Sequence, residues 1–490
     1  MKRILLSVFA AAITAAWAMP TGATASDVTF GGQYRLRGEQ RNQADFNKSL
    51  NDHTDMWGQR VRLTANAKAT DDTSVKITLQ DTRTWGATQS AAGGPGLTDT
   101  CGAAVVAGAA TSACNATDLH ESYVNVDKLL GAPVSLRAGR QELAYGDERL
   151  IGSFGWSNNG RSFDALKFVV TTEVANVDLF TSKITENASN LTAKDQDLYG
   201  LYATVKAVPS NTVDLYYLSL RDNNGATPIV TNNTTAAATA ASTVTRAQKT
   251  TVALGSAFGT AIQKTQVLNT YGFRVKGGAV GLDYTLELAH QSGKIQTDAI
   301  RYKISANAFA LKGGYTIAAP VKIRVGAEYD YASGDKDNSD NKIGTFSNLF
   351  PTNHDKMGYM DYQAWRNVKA FNLNLKADVT SAFSLYAGFW NFKLANKHDA
   401  WYSAAAWNNT QTGAARAASQ TNSNSGVGNE IDIVGSYKYN SALTADLGYG
   451  YFKGGKFVKD NVNSVTATAT TSAGKNANSN WAYLQLTANF

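Results

Sequence analysis

Two short segments carry guanidinium groups at a spacing of two. Arg35 and Arg37 alternate with Tyr34 and Leu36, and Arg60 and Arg62 alternate with Val61 and Leu63. In an extended chain successive side chains point to opposite faces, so each arginine pair shares one face and its apolar neighbours share the other. Four guanidinium groups with few acids nearby make a positive patch suited to carboxylate or phosphate oxygens. The same alternation sets Lys76, Arg137, Arg274, Lys276, Lys322, Arg324 and Lys376 on the polar face of their segments. Glu39, Asp283, Glu287, Glu328, Asp330, Glu430, Asp432 and Asp446 join them there. If that face lines water, the excess of bases selects ions by sign. The same mixture can instead close into salt-bridge ladders that stiffen a wall, so both readings stand for any one residue.

Such faces need strands to present them. The last eleven residues, NWAYLQLTANF, place Ala482, Leu484, Leu486, Ala488 and Phe490 on one face and Trp481, Tyr483, Gln485, Thr487 and Asn489 on the other. About ten residues, tilted, cross a bilayer core. A terminal aromatic on the apolar face resembles the insertion signal of bacterial outer-membrane barrels. A lone strand cannot sit in lipid with unpaired backbone groups, so it must belong to a closed barrel. An outward Arg or Lys costs about 2–4 kcal/mol at the midplane, which turns the apolar face to lipid and the charged face to the lumen.

The pattern predicts an all-β fold: a single antiparallel transmembrane β-barrel of about 18 strands. The segments are 28–40, 57–70, 74–85, 118–128, 133–141, 161–171, 174–184, 197–207, 212–222, 267–277, 280–292, 301–318, 321–333, 366–379, 382–393, 427–439, 442–453 and 479–490. Short connections such as 71–73, 172–173 and 319–320 alternate with long ones such as 86–117, 142–160 and 334–365. Short periplasmic turns and long extracellular loops are the topology of such barrels, and an even strand number puts both termini in the periplasm. Residues 223–266 are rich in Thr, Ala and Asn and read as a surface loop, with room for one further strand at 247–258. No domain boundary interrupts residues 26–490.

Residues 1–25 read as a signal peptide. Lys2 and Arg3 precede an apolar run from Ile4 to Ala18, and small residues follow to Ala25. Its removal lowers the net charge from +7 to +5. A basic soluble chain would suggest nucleic acid, but export argues against it and places the excess in a pore or against anionic lipid. Cys101 and Cys114 lie in one Gly/Ala-rich segment, where an oxidising compartment favours a disulfide over a metal site. Composition suits many strands with aromatic girdles: 42 Gly, 22 Tyr and only 7 Pro.

Residues 139–164, GRQELAYGDERLIGSFGWSNNGRSFD, read as a structured, charged loop able to fold into the lumen as a constriction. Arg140, Asp147, Glu148, Arg149, Arg161 and Asp164 supply charge, and Trp156 and Phe163 supply anchors. This segment, with 32–46, 329–361 and 428–455, resembles the alginate export family of outer-membrane porins. The resemblance implies an 18-stranded barrel whose Arg- and Lys-lined lumen passes an anionic polymer, with Arg35, Arg37, Arg60, Arg62, Arg140 and Arg161 in that lining. The expected partners are outer-membrane lipid, the barrel assembly machinery during insertion, and anionic small molecules or polysaccharide as cargo.

No cofactor motif, G-x-S-x-G or H-E-x-x-H is present. Two other functions stay open. One is a sheath around an electron-transfer cytochrome. The other is an outer-membrane hydrolase, for which His120 close to Ser122 is the only hint. Asp335, Asp337, Asn338, Asp340 and Asn341 crowd one loop without the spacing of a calcium-binding EF-hand, which favours a solvated turn.

Overall fold

The computed structural model describes residues 27–44, 46, 53–85, 116–186, 195–223, 263–297, 301–337, 340–402, 423–461 and 478–490. The signal segment, Cys101 and Cys114, and most of the 223–266 insertion, with its candidate strand, lie outside these.

Strands β1 to β5 are Asp27–Asn42, Thr54–Lys68, Thr73–Thr84, Ala116–Val126 and Val134–Gln141. Strands β6 to β9 are Phe163–Thr171, Ala175–Thr185, Gln196–Val205 and Asn211–Asp222. Strands β10 to β13 are Gln263–Ala279, Leu282–Thr297, Arg301–Ile317 and Lys322–Ala332. A two-residue β14, Lys342–Ile343, follows. Strands β15 to β19 are Val368–Asp378, Phe383–Leu394, Gly426–Lys438, Leu443–Gly454 and Asn478–Asn489, with a short helix α1, Lys456–Asn461, before the last.

Each long strand pairs antiparallel with its sequence neighbours, and β19 pairs with β1, so the sheet closes on itself with 18 wall strands. Closure leaves no edge to solvate, as a bilayer requires. β14 is extra. It lies parallel to β12 at the extracellular rim and stands outside the alternating pattern. β10 and β11 also run further outward than their sequence pattern, starting at Gln263 and ending at Thr297.

The two faces separate as alternation demands. On β19, Trp481 and Tyr483 are buried inside while Leu484 and Leu486 are exposed outside. Ile431 and Ile433 face out, and Glu430 and Asp432 are fully enclosed. A bulge between Thr78 and Leu79 of β3 and their partners on β4 leaves His120 without an opposite number. It turns both His120 and Glu121 inward. The interior is packed rather than empty. Phe46, Tyr362, Trp401 and Phe452 form one aromatic cluster. Tyr145, Phe180, Tyr202 and Tyr216 form another.

Candidate functional site

The arginines of β1 and β2 share one luminal face, and loop carbonyls roof them. Arg35 donates from Nη1 to the Gly155 carbonyl (2.9 Å) and from Nη2 to the Ser157 carbonyl (2.9 Å) and Asn158 Oδ1 (2.7 Å). Arg60 Nη1 reaches the same two carbonyls at 3.2 and 3.0 Å. Arg37 donates to the Trp156 carbonyl (2.7 Å), pairs with Glu39 (2.7 Å) and lies under the Trp156 ring, 3.8 Å from its centroid. A carbonyl cluster left by an irregular loop would be costly to bury unpaired. Here the wall supplies the donors, so residues 142–162 fold into the lumen.

The same loop reaches the opposite wall. Asp147 pairs with Arg274 of β10 (2.5 Å) and with Lys312 of β12. Arg149 pairs with Glu328 and, at 3.1 Å, with Asp330, both on β13. Neighbouring carboxylates hold the Arg149 guanidinium above its usual range, and three cations hold Asp147 below the usual carboxylate range, in each case against burial. Tyr145 stacks on Tyr202, 4.5 Å between centroids. The loop is thus a bar across the barrel, pinned at both ends by charge.

A second inserted segment, residues 344–367, interlocks with it. Ile151 and Phe350 form a parallel bridge, with Gly152 N donating to the Phe350 carbonyl and Phe350 N to the Leu150 carbonyl, each 2.9 Å. Arg161 Nη1 donates to the carbonyls of Gly152 (3.1 Å), Phe350 (2.6 Å) and Pro351 (2.9 Å). Burial pulls Arg161 down to about 10, which leaves it charged at neutral pH. Trp156 stacks face to face on His354. The backbone N–H of Met360 donates to Glu430 (2.9 Å) and Arg41 Nη1 donates to the Met360 carbonyl (3.0 Å). At Gly358 φ is +85°, and a Cβ there would lie 2.3 Å from Glu430 Oε1, so the turn that delivers these groups needs glycine.

The remaining expected residues divide. Arg62 meets Gln80 (2.7 Å) and Glu142 (3.4 Å), Lys76 meets Glu121 (2.5 Å), and Arg324 forks onto Asp283 (2.6 Å). Arg137 lies 4.5 Å over the Tyr123 ring. Lys322 stands exposed at the first position of β13, beside the periplasmic turn. Among the described residues Arg137, Lys276 and Lys376 form no ion pair, and all three face the lumen below the loops. A recess of about 380 Å³ lined by Arg62, Lys76, His120, Glu121 and Glu142 opens there.

Arg140 is a correction. It stands on the outer face, 2.7 Å from Asp164, whose neighbours Phe163 and Ala165 are buried inside. Arg137 and Arg140 are three residues apart on one strand, so they cannot share a face. Asp164 leaves the expected loop set for the same reason.

Sequence alternation also passed over Lys312, Arg41 and the whole 344–367 insertion. On β12 the luminal positions before Lys312 are Ala306, Ala308 and Ala310, all buried. Small residues there make room for the loops, so an apolar row faces inward and hides the pattern. The conspicuous cue for the insertion is its run of Trp, Tyr, Met and Asn without alternation. In the crowded aspartate loop, Asp335 accepts from the backbone of Asp337 (3.2 Å) and Gly344 (3.4 Å).

The hint of hydrolytic chemistry shifts from Ser122 to Ser162, which lies 3.3 Å from His120 Nδ1, with Glu142 2.7 Å from Nε2. The Ser162 hydroxyl, however, also donates to the His120 carbonyl. A proton committed to a carbonyl is not delivered to the imidazole, so the trio lacks the nucleophile–base bond.

A closed 18-stranded wall, apolar outside and charged within, narrowed by inserted loops, defines an outer-membrane β-barrel of the porin type. The alginate export family model matches residues 26–472, and the chain belongs to that family. No curated protein matches the sequence. Solved barrels match in fold. OccAB1 of Acinetobacter baumannii aligns with a TM-score of 0.55 at 10% identity, covering 97% of this chain and 99% of that one. OccAB3 of the same organism gives 0.54 at 8% identity, covering 95% and 99%. OccD3 (OpdP) of Pseudomonas aeruginosa gives 0.52 at 11%, covering 96% and 93%.

Proposed function

We propose that this outer-membrane barrel is a diffusion channel that prefers anions, carrying small anionic solutes or anionic polysaccharide through a wet lumen constricted by the two loops. The carrying observation is the asymmetry of the luminal charge below the constriction. Arg137, Lys276, Lys322 and Lys376 have no ion-pair partner among the described residues, against two such luminal acids at similar depth, Asp378 and Asp446, while Asp178 and Asp283 are paired with Lys167 and Arg324. An excess of fixed cations draws mobile anions into a low-dielectric pore.

The positive patch on β1 and β2 takes a different role in this reading. Arg35, Arg37 and Arg60 hold the constriction in place, and selectivity falls to the cations beneath it. With both loops seated, the lumen suits single small anions; an extended polysaccharide needs them displaced. A lumen crossed by the chain's own loops also leaves little room for an enclosed cytochrome. Passage needs no covalent step, so the reading is of a non-enzyme. Insertion by the barrel assembly machinery fits the terminal Phe490, which pairs with Gly32 and exposes its ring on the outer wall.

Liposome swelling tests this directly. Vesicles holding the protein are expected to swell faster in a monomeric uronate than in a neutral hexose of equal size. Equal rates, or faster entry of the neutral sugar, would contradict the charge-based reading.

A further inference from the structure

The outer wall carries charge at the extracellular ends of its strands, and along one arc that charge is self-neutralised. Arg140, Asp164, Lys183, Asp197 and Arg221 stand in one register row across β5 to β9, alternating in sign. Arg140 lies 2.7 Å from Asp164, and Lys183 lies 3.0 Å from Asp197.

On β11, β12 and β14 the signs do not alternate. Lys294 faces Lys303 in register, and Lys303 faces Lys342 on its other side. All three are exposed, while the adjacent Ile295, Ile304 and Ile343 are buried inside. Arg301 lies on the same outer face two residues before Lys303 and is exposed. Neighbouring strands are about 4.8 Å apart, so the three lysines leave the sheet within about 10 Å of one another. Like charges set directly opposite destabilise a sheet. Lys294, Arg301 and Lys303 form no ion pair with a described carboxylate. The nearby Asp340 accepts from the backbone N–H of Lys342 (2.7 Å). The four bases line a cleft of about 500 Å³, floored by Gly293 and Asn341.

Below this cleft the outer face changes in steps. First come the register pairs Ser292–Ser305 and His290–Asn307, the latter hydrogen-bonded at 2.8 Å. Then come Leu288 and Leu311, exposed toward lipid, with Phe309 in register with Leu288. Cations, then polar groups able to bond sugar hydroxyls, then an aliphatic and aromatic wall, together match one amphiphile read from head to tail. We propose that this cleft binds the phosphorylated saccharide headgroup of a glycolipid in the outer leaflet, its acyl chains lying along β11 and β12. Phosphate oxygens accept from the lysines as point charges and from the Arg301 fork, which relieves the stacked lysines.

Native mass spectrometry of the delipidated full-length protein with diphosphorylated lipid A tests the site. Lipid A retention is expected, and the K294Q/R301Q/K303Q variant is expected to bind on the order of a hundredfold more weakly. The R140Q/K183Q variant, on the self-neutralised arc, is expected to bind as the native protein does. If the triple variant does not give the heat-modifiable band of a folded barrel, K303Q alone is used, with K303R restoring binding. Undiminished binding by the variants, or equal retention of dephosphorylated lipid A, would overturn the proposal. Full competition by millimolar inorganic phosphate would assign an ion site instead of a lipid site, and would overturn it equally.

Discussion

Trp156 and His354 stack with ring centroids 3.8 Å apart and planes 6° from parallel, and through this contact the two inserted loops act as one body. Trp156 also covers Arg37 and meets Tyr483 of β19 edge-on at 5.0 Å. His354 in turn is 3.0 Å from Asp361 on its own loop. The W156A variant therefore removes the lid of the arginine patch and the joint between the loops together. An aromatic stack and a cation–π contact are worth about 0.5–2 kcal/mol each. Single-channel conductance of W156A should rise and its trace should grow noisier. An unchanged conductance would mean that the stack does not set the constriction.

Arg149 anchors the far end of the first loop on Glu328 and Asp330, and both Arg149 and Asp330 are almost wholly buried. Removing one member of a buried ion pair strands the other, at a cost of about 3–5 kcal/mol. The R149M variant should detach this end of the loop and lower the temperature at which the barrel loses its heat-modifiable band. The double variant R149M/D330L should recover part of that loss, because only the less buried Glu328 then lacks its partner. A double variant as unstable as the single would show that the loop needs the ion pair itself.

The extracellular link after β16 offers a pH-dependent contact outside the membrane. Asp399 accepts from the backbone of Asp335 (2.8 Å) and Ala400 (2.7 Å), from Thr345 Oγ1 (2.6 Å) and from the Tyr402 hydroxyl (3.1 Å). Burial nonetheless pushes its carboxyl up to about 6. The folded link then binds the proton more tightly than the unfolded chain, whose carboxyl titrates near 4. Its stability is greatest below about pH 4, falls as pH rises from 4 to 6, and is level above that. Hydrogen exchange of the amides of residues 333–337 and 340–345, corrected for intrinsic rates, should show more protection at pH 4.5 than at pH 7. In the D399N variant this slope should vanish. Protection that rises with pH in the native chain would reverse the sign.

The wall was legible in the sequence because lipid on one side and water or charge on the other force a period of two. All 18 wall strands lie where alternation places them, within a few residues. What failed did so where the inside is not water. β12 turns Ala306, Ala308 and Ala310 inward against the loops, so its luminal face looks apolar. The charged loop at 142–162 could be read as an insertion from its residues, but not which wall groups would receive it. Its partners Arg274, Lys312 and Asp330 are more than 120 positions away in sequence. Arg140 was misplaced by grouping it with a loop instead of counting its parity from Arg137.

The central claim is that an excess of luminal cations outside ion pairs makes the channel prefer anions. Its most direct test is the reversal potential of single channels in a planar bilayer under a KCl gradient, for the native protein and for R137Q/K276Q/K376Q. The native channel should reverse on the chloride side of zero, and the variant should move toward zero with its conductance little changed, since none of the three residues holds a loop. A native channel that reverses on the potassium side, or a variant with an unshifted reversal potential, would contradict the account.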